Sequence, residues 1–275
     1  LELCFELWRF DFIDNEKPCE KSITLQKILI QARKQNIHFL REELDFYVDT
    51  PIEFPLTWGL GSSSTLIYNI AQWAYISPFE LLSQTFKGSG YDIACAQSLG
   101  PITYQIQSRG PHWETTCFEP SFKQNLYFLY LNKKQNTQTD VLTYKDAAII
   151  NKDAIVDRIS QISDEILTCV DLKSFEDLLL EHENLISTSL GKKRIMDLLF
   201  SDFWGVVKSL GAWGGDFSLV TSDRSKQETQ KYFSDKGYNN FFSFDEFILQ
   251  SFQELSNTPE ENTQHQMENG HASIS

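Results

Sequence analysis

The stretch PLTWGLGSSST, residues 55–65, decides how this chain is read. Gly59 and Gly61 remove side chains where a backbone has to approach a ligand, and Ser62, Ser63 and Ser64 then open a helix whose leading amides lack internal partners. Exposed amides at a helix start form a site for an anion such as a phosphate. An ordinary serine-capped helix after a turn has the same composition, because Gly and Ser are both favoured in caps. No Gly-Lys-Ser/Thr follows, which excludes a Walker-type phosphate loop.

Outward from that loop, TLIYNIAQWAYI (65–76) lacks glycine and proline and reads as a buried helix that stops at Ser77-Pro78. Upstream, LELCFELWRFDF (1–12) alternates like a strand, residues 24–36 place Leu25, Ile28, Leu29 and Ala32 on one helical face, and LDFYVDT (44–50) alternates again. Downstream, a short helix over 79–86 leads into KGSGYDIACAQSLGPITYQI, whose apolar part reads as a strand. NLYFLYL (125–131) is a clearer strand. From residue 151 the period becomes helical, through Ile155, Ile159, Ile162 and Ile166 and then Phe175, Leu178, Leu179, Leu185 and Ile186, with further helices over 194–207 and 226–236 and a last apolar segment, NNFFSFDEFIL. Strands and helices mix without βαβ alternation, so the expected class is α+β. Residues 256–275 are polar and are expected to be disordered.

Two further segments can carry chemistry. In KGSGYDIA (87–94), Asp92 is a lone acid among small residues, placed to accept a proton from a substrate hydroxyl, although an aspartate at a loop end is also a common helix cap. In GAWGGDF (211–217), glycines again precede a strand. Lys208 just before it can approach a phosphate or lie solvated at a helix end. His38, His112 and His182 have no metal-ligand spacing and read as surface or satisfied core groups. Trp73 and Trp204 read as core, whereas Trp58, inside the loop, can border a nucleotide.

Composition narrows the partners. The chain has 275 residues with 41% hydrophobic and 13% aromatic content, enough to bury a core. With 24 Lys+Arg against 38 Asp+Glu the formal charge is −14, and no basic run tracks a nucleic-acid backbone. No stretch approaches the roughly 18 to 20 apolar residues of a membrane span. Five scattered cysteines without a Cys-x-x-Cys pair suit reduced thiols and a cytoplasmic location better than disulfides or zinc.

Taken together, the three glycine segments resemble the GHMP kinases, the superfamily of galactokinase, homoserine kinase, mevalonate kinase and phosphomevalonate kinase. Pro55 and Gly59-Leu60-Gly61-Ser62-Ser63 match the family's phosphate loop, Gly88-Ser89-Gly90-Tyr91-Asp92 its second site loop, and Lys208 through Asp216 its third motif. The wording GYDIA with SLGAWGGDF is similar to a bacterial subgroup of these kinases, with a mevalonate-pathway-like character. Trp213 departs from the family, standing where glycine is usual, and Asp216 echoes the phosphomevalonate branch. The family's first motif, a strand with a lysine and a Gly-Glu pair, has no counterpart and is expected upstream of Leu1.

The resemblance implies a two-domain GHMP fold, with a ribosomal-protein-like N-terminal domain over 1–120, short of its first strands, and a ferredoxin-like domain over 121–255. It implies ATP and Mg²⁺, a small-molecule substrate and a monomer or homodimer, with no nucleic-acid or membrane partner. Gly59, Leu60, Gly61, Ser62, Ser63 and Ser64 would hold the phosphates and Ser63 the metal. Asp92 would be the catalytic aspartate, and Ser89, Gly90, Gly211, Ala212, Gly214 and Gly215 would line substrate and phosphate. Phosphomevalonate or mevalonate is the expected acceptor. Homoserine, a sugar, or nucleotide binding without catalysis are the alternatives.

Overall fold

The computed structural model describes residues 3–6, 9–12, 19–41, 46, 48–86, 88–132, 152–211 and 216–248. The polar tail, residues 212–215 and part of the 44–50 segment therefore lie outside the described residues. The fold is α+β with antiparallel sheets, as expected from the mixed pattern.

The first part of the chain builds a helical core. The opening strand divides into a hairpin of β1 (Leu3–Glu6) and β2 (Arg9–Phe12). Helix α1 (Glu20–Gln35) begins four residues before the apolar periodicity and turns Ile28, Leu29 and Ala32 inward. Helix α2 (Ser62–Ala74) buries Ile67, Ile70, Ala71 and Ala74, the i, i+3, i+4, i+7 face that helical period requires. Helix α3 (Pro78–Thr85) starts on a proline, with the Ser77 hydroxyl accepting from the Glu80 amide. These helices close on Ile93, inside α4 (Tyr91–Ala96).

Residues 91–96 are a helix, not the start of a strand. Gly90, at φ 84, turns the chain sharply, and the apolar run that follows is too short for its period to choose between helix and strand. The strand starts later, as β3 (Ile102–Gln107), and pairs with β4 (Gly110–Thr115), a strand that the polar sequence and Pro111 concealed. Among the described residues the two hairpins are separate two-stranded sheets.

The second part is organised on β5 (Leu126–Tyr130), all of whose residues are buried. Tyr127 and Leu129 point to one core, and Leu126, Phe128 and Tyr130 to another, as a period of two demands of a strand covered on both faces. The helix pair α5 (Lys152–Leu167) and α6 (Leu172–Leu190) follows. The expected 194–207 helix is only α7 (Ile195–Leu199). A Cβ at Gly205 would lie 2.0 Å from the Thr221 carbonyl oxygen, so the chain must pass flat against its neighbour there before entering β6 (Val207–Ser209). Strand β7 (Phe217–Thr221), α8 (Lys226–Asp235) and β8 (Phe241–Ser243) come next. A Ser243–Glu246 capping box then starts the short α9 (Phe244–Phe247). The all-antiparallel order β6-β7-β5-β8, with helices between β5 and β6 and between β7 and β8, is the ferredoxin-like arrangement.

Trp58 joins the two parts. It lies in a short 3₁₀ turn (Leu56–Trp58), with its ring 5.8 Å from Tyr130 and 5.5 Å from both Phe217 and Phe242. The Tyr130 hydroxyl donates to the Thr57 carbonyl at 3.0 Å. Trp58 is thus partly buried and packs against the sheet's core. Trp58→Ala is expected to lower stability by about 3 kcal/mol, the lower end for truncating a large aromatic, measured as the shift in urea unfolding.

Candidate active site

The loop 55–65 has the local form its residues dictate. Pro55 is extended, the 3₁₀ turn follows, and Gly59 (φ 68, ψ 22) and Gly61 (φ 75, ψ 18) both adopt the left-handed conformation that glycine takes without penalty. Gly61 is the N-cap of α2 and no side chain caps it. The helix's first internal bond there is Thr65 N–H to the Gly61 carbonyl at 3.0 Å, so the amides of Ser62, Ser63 and Ser64 have no partner one turn back. Ser63 is exposed at this end.

Two carboxylates bracket the loop. A Cβ at Gly59 would fall 2.4 Å from Cγ of Asp216, and one at Gly61 would fall 3.9 Å from Cγ of Asp92. The three glycine segments, far apart in sequence, therefore meet at Gly59-Leu60-Gly61. Asp216 is buried and itself left-handed, at φ 54, a conformation aspartate tolerates better than most residues.

Asp92 sits in the first turn of α4, where the helix dipole favours its charge. Asp92 is exposed as a residue, while neighbouring protein partly buries its carboxyl group. That burial pushes its carboxyl above the ordinary range, and the Ser64 hydroxyl beside it pulls the other way. Gly90 is locked in place: a Cβ there would lie 2.9 Å from Phe79 and 3.2 Å from the Tyr104 hydroxyl. Tyr104 donates to the Ser89 carbonyl. Tyr91, half exposed, has its phenol pushed up to about 12, chiefly by burial and then by Cys95 and Asp92. Neither tyrosine stood out in the sequence, because an aromatic beside a glycine turn is usually a packing residue.

Of the third motif, Gly211 (φ 60) and Asp216 are described and Ala212, Gly214 and Gly215 are not. Lys208 lies neither at a helix end nor in solvent. It is on β6 and largely buried, with Nζ 3.6 Å from Glu183 Oε1 and donating to the Ser209 carbonyl at 3.0 Å. Burial raises the Glu183 carboxyl and lowers the Lys208 ammonium, while each partner's charge opposes the other's shift. The adjacent His182 is pushed down to about 4 by burial and by Lys208. Among the described residues no group of three or more His, Cys, Asp or Glu could hold a metal by itself, and no helix is long and apolar enough to cross a membrane.

A likeness to a solved structure supports this architecture. The Lin0012 protein from Listeria innocua superposes with a TM-score of 0.57 at 17% identity, over 82% of this chain and 77% of that one. The chain shares that fold. Two mevalonate kinases are also similar, each at a TM-score of 0.47, too low to argue a shared fold. The Methanococcus jannaschii enzyme is 20% identical over 78% of this chain and 73% of its own. The L. major enzyme, solved with R-mevalonate, is 15% identical over 77% and 73%. No family model matches the chain and no curated protein does.

Two consequences are measurable. Gly59→Ala is expected to cost about 2 kcal/mol, from left-handed strain plus displacement of Asp216, against about 1 kcal/mol for Gly191→Ala, which has similar φ but nothing within 4 Å of the added methyl. Urea unfolding of the two variants compares them. His182 titrates in the folded chain below its ordinary 6.5, so its contribution to stability is complete above about 6.5 and is lost as pH falls toward 4. His182→Gln is expected to flatten the acid side of the stability profile over that window.

Proposed function

We propose that this chain is an ATP-dependent small-molecule kinase of the GHMP type, transferring the γ-phosphoryl group to a hydroxyl or phosphate of a mevalonate-pathway-like acceptor. The observation that carries the reading is the approach of Asp92 to Gly61. It puts a carboxylate of raised proton affinity next to a loop whose amides are arranged for phosphates.

In this reading Gly59, Leu60, Gly61 and Ser62–Ser64 hold the β- and γ-phosphates through backbone N–H groups and hydroxyls. The fit is physical: Gly61 leaves space on the Asp92 side, and the helix end offers unpartnered donors. Ser63, exposed at the same end, would ligate Mg²⁺, which when bound neutralises phosphate charge. The acceptor hydroxyl would lie between the loop and Asp92, which takes or orients its proton, while Ser64 holds the carboxylate. Ser89 and Gly90, kept in position by Tyr104 and Phe79, would form one wall of the acceptor site, and Gly211, Ala212, Gly214 and Gly215 would also contact substrate or phosphate. Phosphoryl transfer needs alignment and charge neutralisation more than covalent chemistry, so these parts suffice.

Turnover of ATP with mevalonate, phosphomevalonate, homoserine and hexoses tests the reading, and phosphorylation of mevalonate or its phosphate is expected. Asp92→Asn is expected to lower turnover at least about 10²-fold while leaving nucleotide affinity nearly unchanged. Because Asp92 acts deprotonated and its carboxyl is raised, the acid limb of the wild-type rate profile is expected above the ordinary carboxylate range. Near-normal turnover in Asp92→Asn removes it from the mechanism.

A further inference from the structure

Helix α6 meets the sheet through apolar side chains, Phe175 and Leu179, and through two acids seven residues apart. Glu176 accepts from the Thr221 hydroxyl, at the end of β7 away from the glycine loop. Glu183 serves the other end. It is 1% exposed, and neither of its carboxylate oxygens has a hydrogen-bond partner among the described residues. The Lys208 Nζ stands 3.6 Å from Oε1 and donates to the Ser209 carbonyl. Burial is the largest influence on both groups, raising the carboxyl and lowering the ammonium against the pull of the partner's charge. A pair so placed recovers little of its desolvation cost, and apolar side chains of similar volume would hold α6 to the sheet at least as firmly.

An apolar contact does not supply a fixed position along a strand, which is the best-attested use of buried polar pairs. Strand β6 has three residues and pairs with β7 at the margin of the described sheet. The ladder continues from the Leu210 N–H to the Phe217 carbonyl at 3.0 Å. Gly211 and Asp216 come next on the two arms, and Asp216 lies against Gly59. Anchored to α6 through Thr221 and apolar contacts alone, this hairpin could pivot, and its end at Gly59 would move furthest.

Resting on the nucleotide-loop reading, we propose that Glu183 and Lys208 are positioning residues of the candidate site. They set the end of the β6–β7 hairpin against the glycine loop and serve that alignment, with no gain in stability. Neither touches the nucleotide.

Urea unfolding and titration calorimetry of ATP in excess MgCl₂, both on the full chain, separate alignment from stability. The double variant Glu183→Met/Lys208→Met replaces the pair by apolar side chains. It is expected to unfold at no lower urea concentration than wild type and to bind ATP about tenfold more weakly. Leu179→Met repacks the same α6 contact with the pair intact, and is expected to keep wild-type affinity. Wild-type affinity in the double variant overturns the inference and leaves the nucleotide reading standing. So does a double variant that is unfolded or clearly less stable, because the pair then serves stability, and so does an equal loss of affinity in Leu179→Met. No ATP binding by wild type overturns both.

Discussion

The candidate site depends on one packing constraint, the insertion of Trp58 between Tyr130, Phe217 and Phe242. The tryptophan belongs to the loop that leads into α2, and its three partners belong to the sheet. Its packing pins the glycine loop to the sheet beside Asp216. Gly59 follows directly, and only a residue without a side chain can pass so close to Asp216 at positive φ. The aromatic contact thus supplies apolar driving force, and the glycine converts it into a close approach of two loops.

The rest of the second part keeps that sheet rigid. Strand β5 is covered on both faces, and Lys208, on β6, is held by Glu183 of α6. A buried ion pair of this kind contributes little net stability, because desolvation offsets attraction. It does fix how β6 sits against α6. The lysine that a motif comparison would send to a phosphate is thus committed to the scaffold, and the site is left rich in amide donors and carboxylates.

On the other side of the loop, α4 brings Asp92 to Gly61 through the turn at Gly90, which Phe79 and Tyr104 hold. Short helices of this kind have little stability of their own. Ile93, buried in the helical core with α1, α2 and α3, is what fixes α4. Asp92 is therefore positioned by packing one residue away from it, and its raised proton affinity arises from the same burial.

The amino-acid sequence by itself determined the elements whose period is long or doubly covered. Helix α2 was legible from Ile67, Ile70, Ala71 and Ala74, β5 from its unbroken apolar run, and the loop between Pro55 and Ser64 from glycine and serine chemistry. These are local properties of the backbone and of side-chain spacing. The six residues of α4, the β4 strand with Pro111, and the 195–209 segment were not legible, because short or polar runs fit two periods and packing chooses between them. Tertiary structure alone decided that Trp58 packs on the sheet, that Lys208 faces Glu183, and that Asp216 and Asp92 stand on either side of one glycine loop. Each of these is a contact between residues more than twenty positions apart, set by burial of apolar surface across the whole chain, which no local pattern encodes.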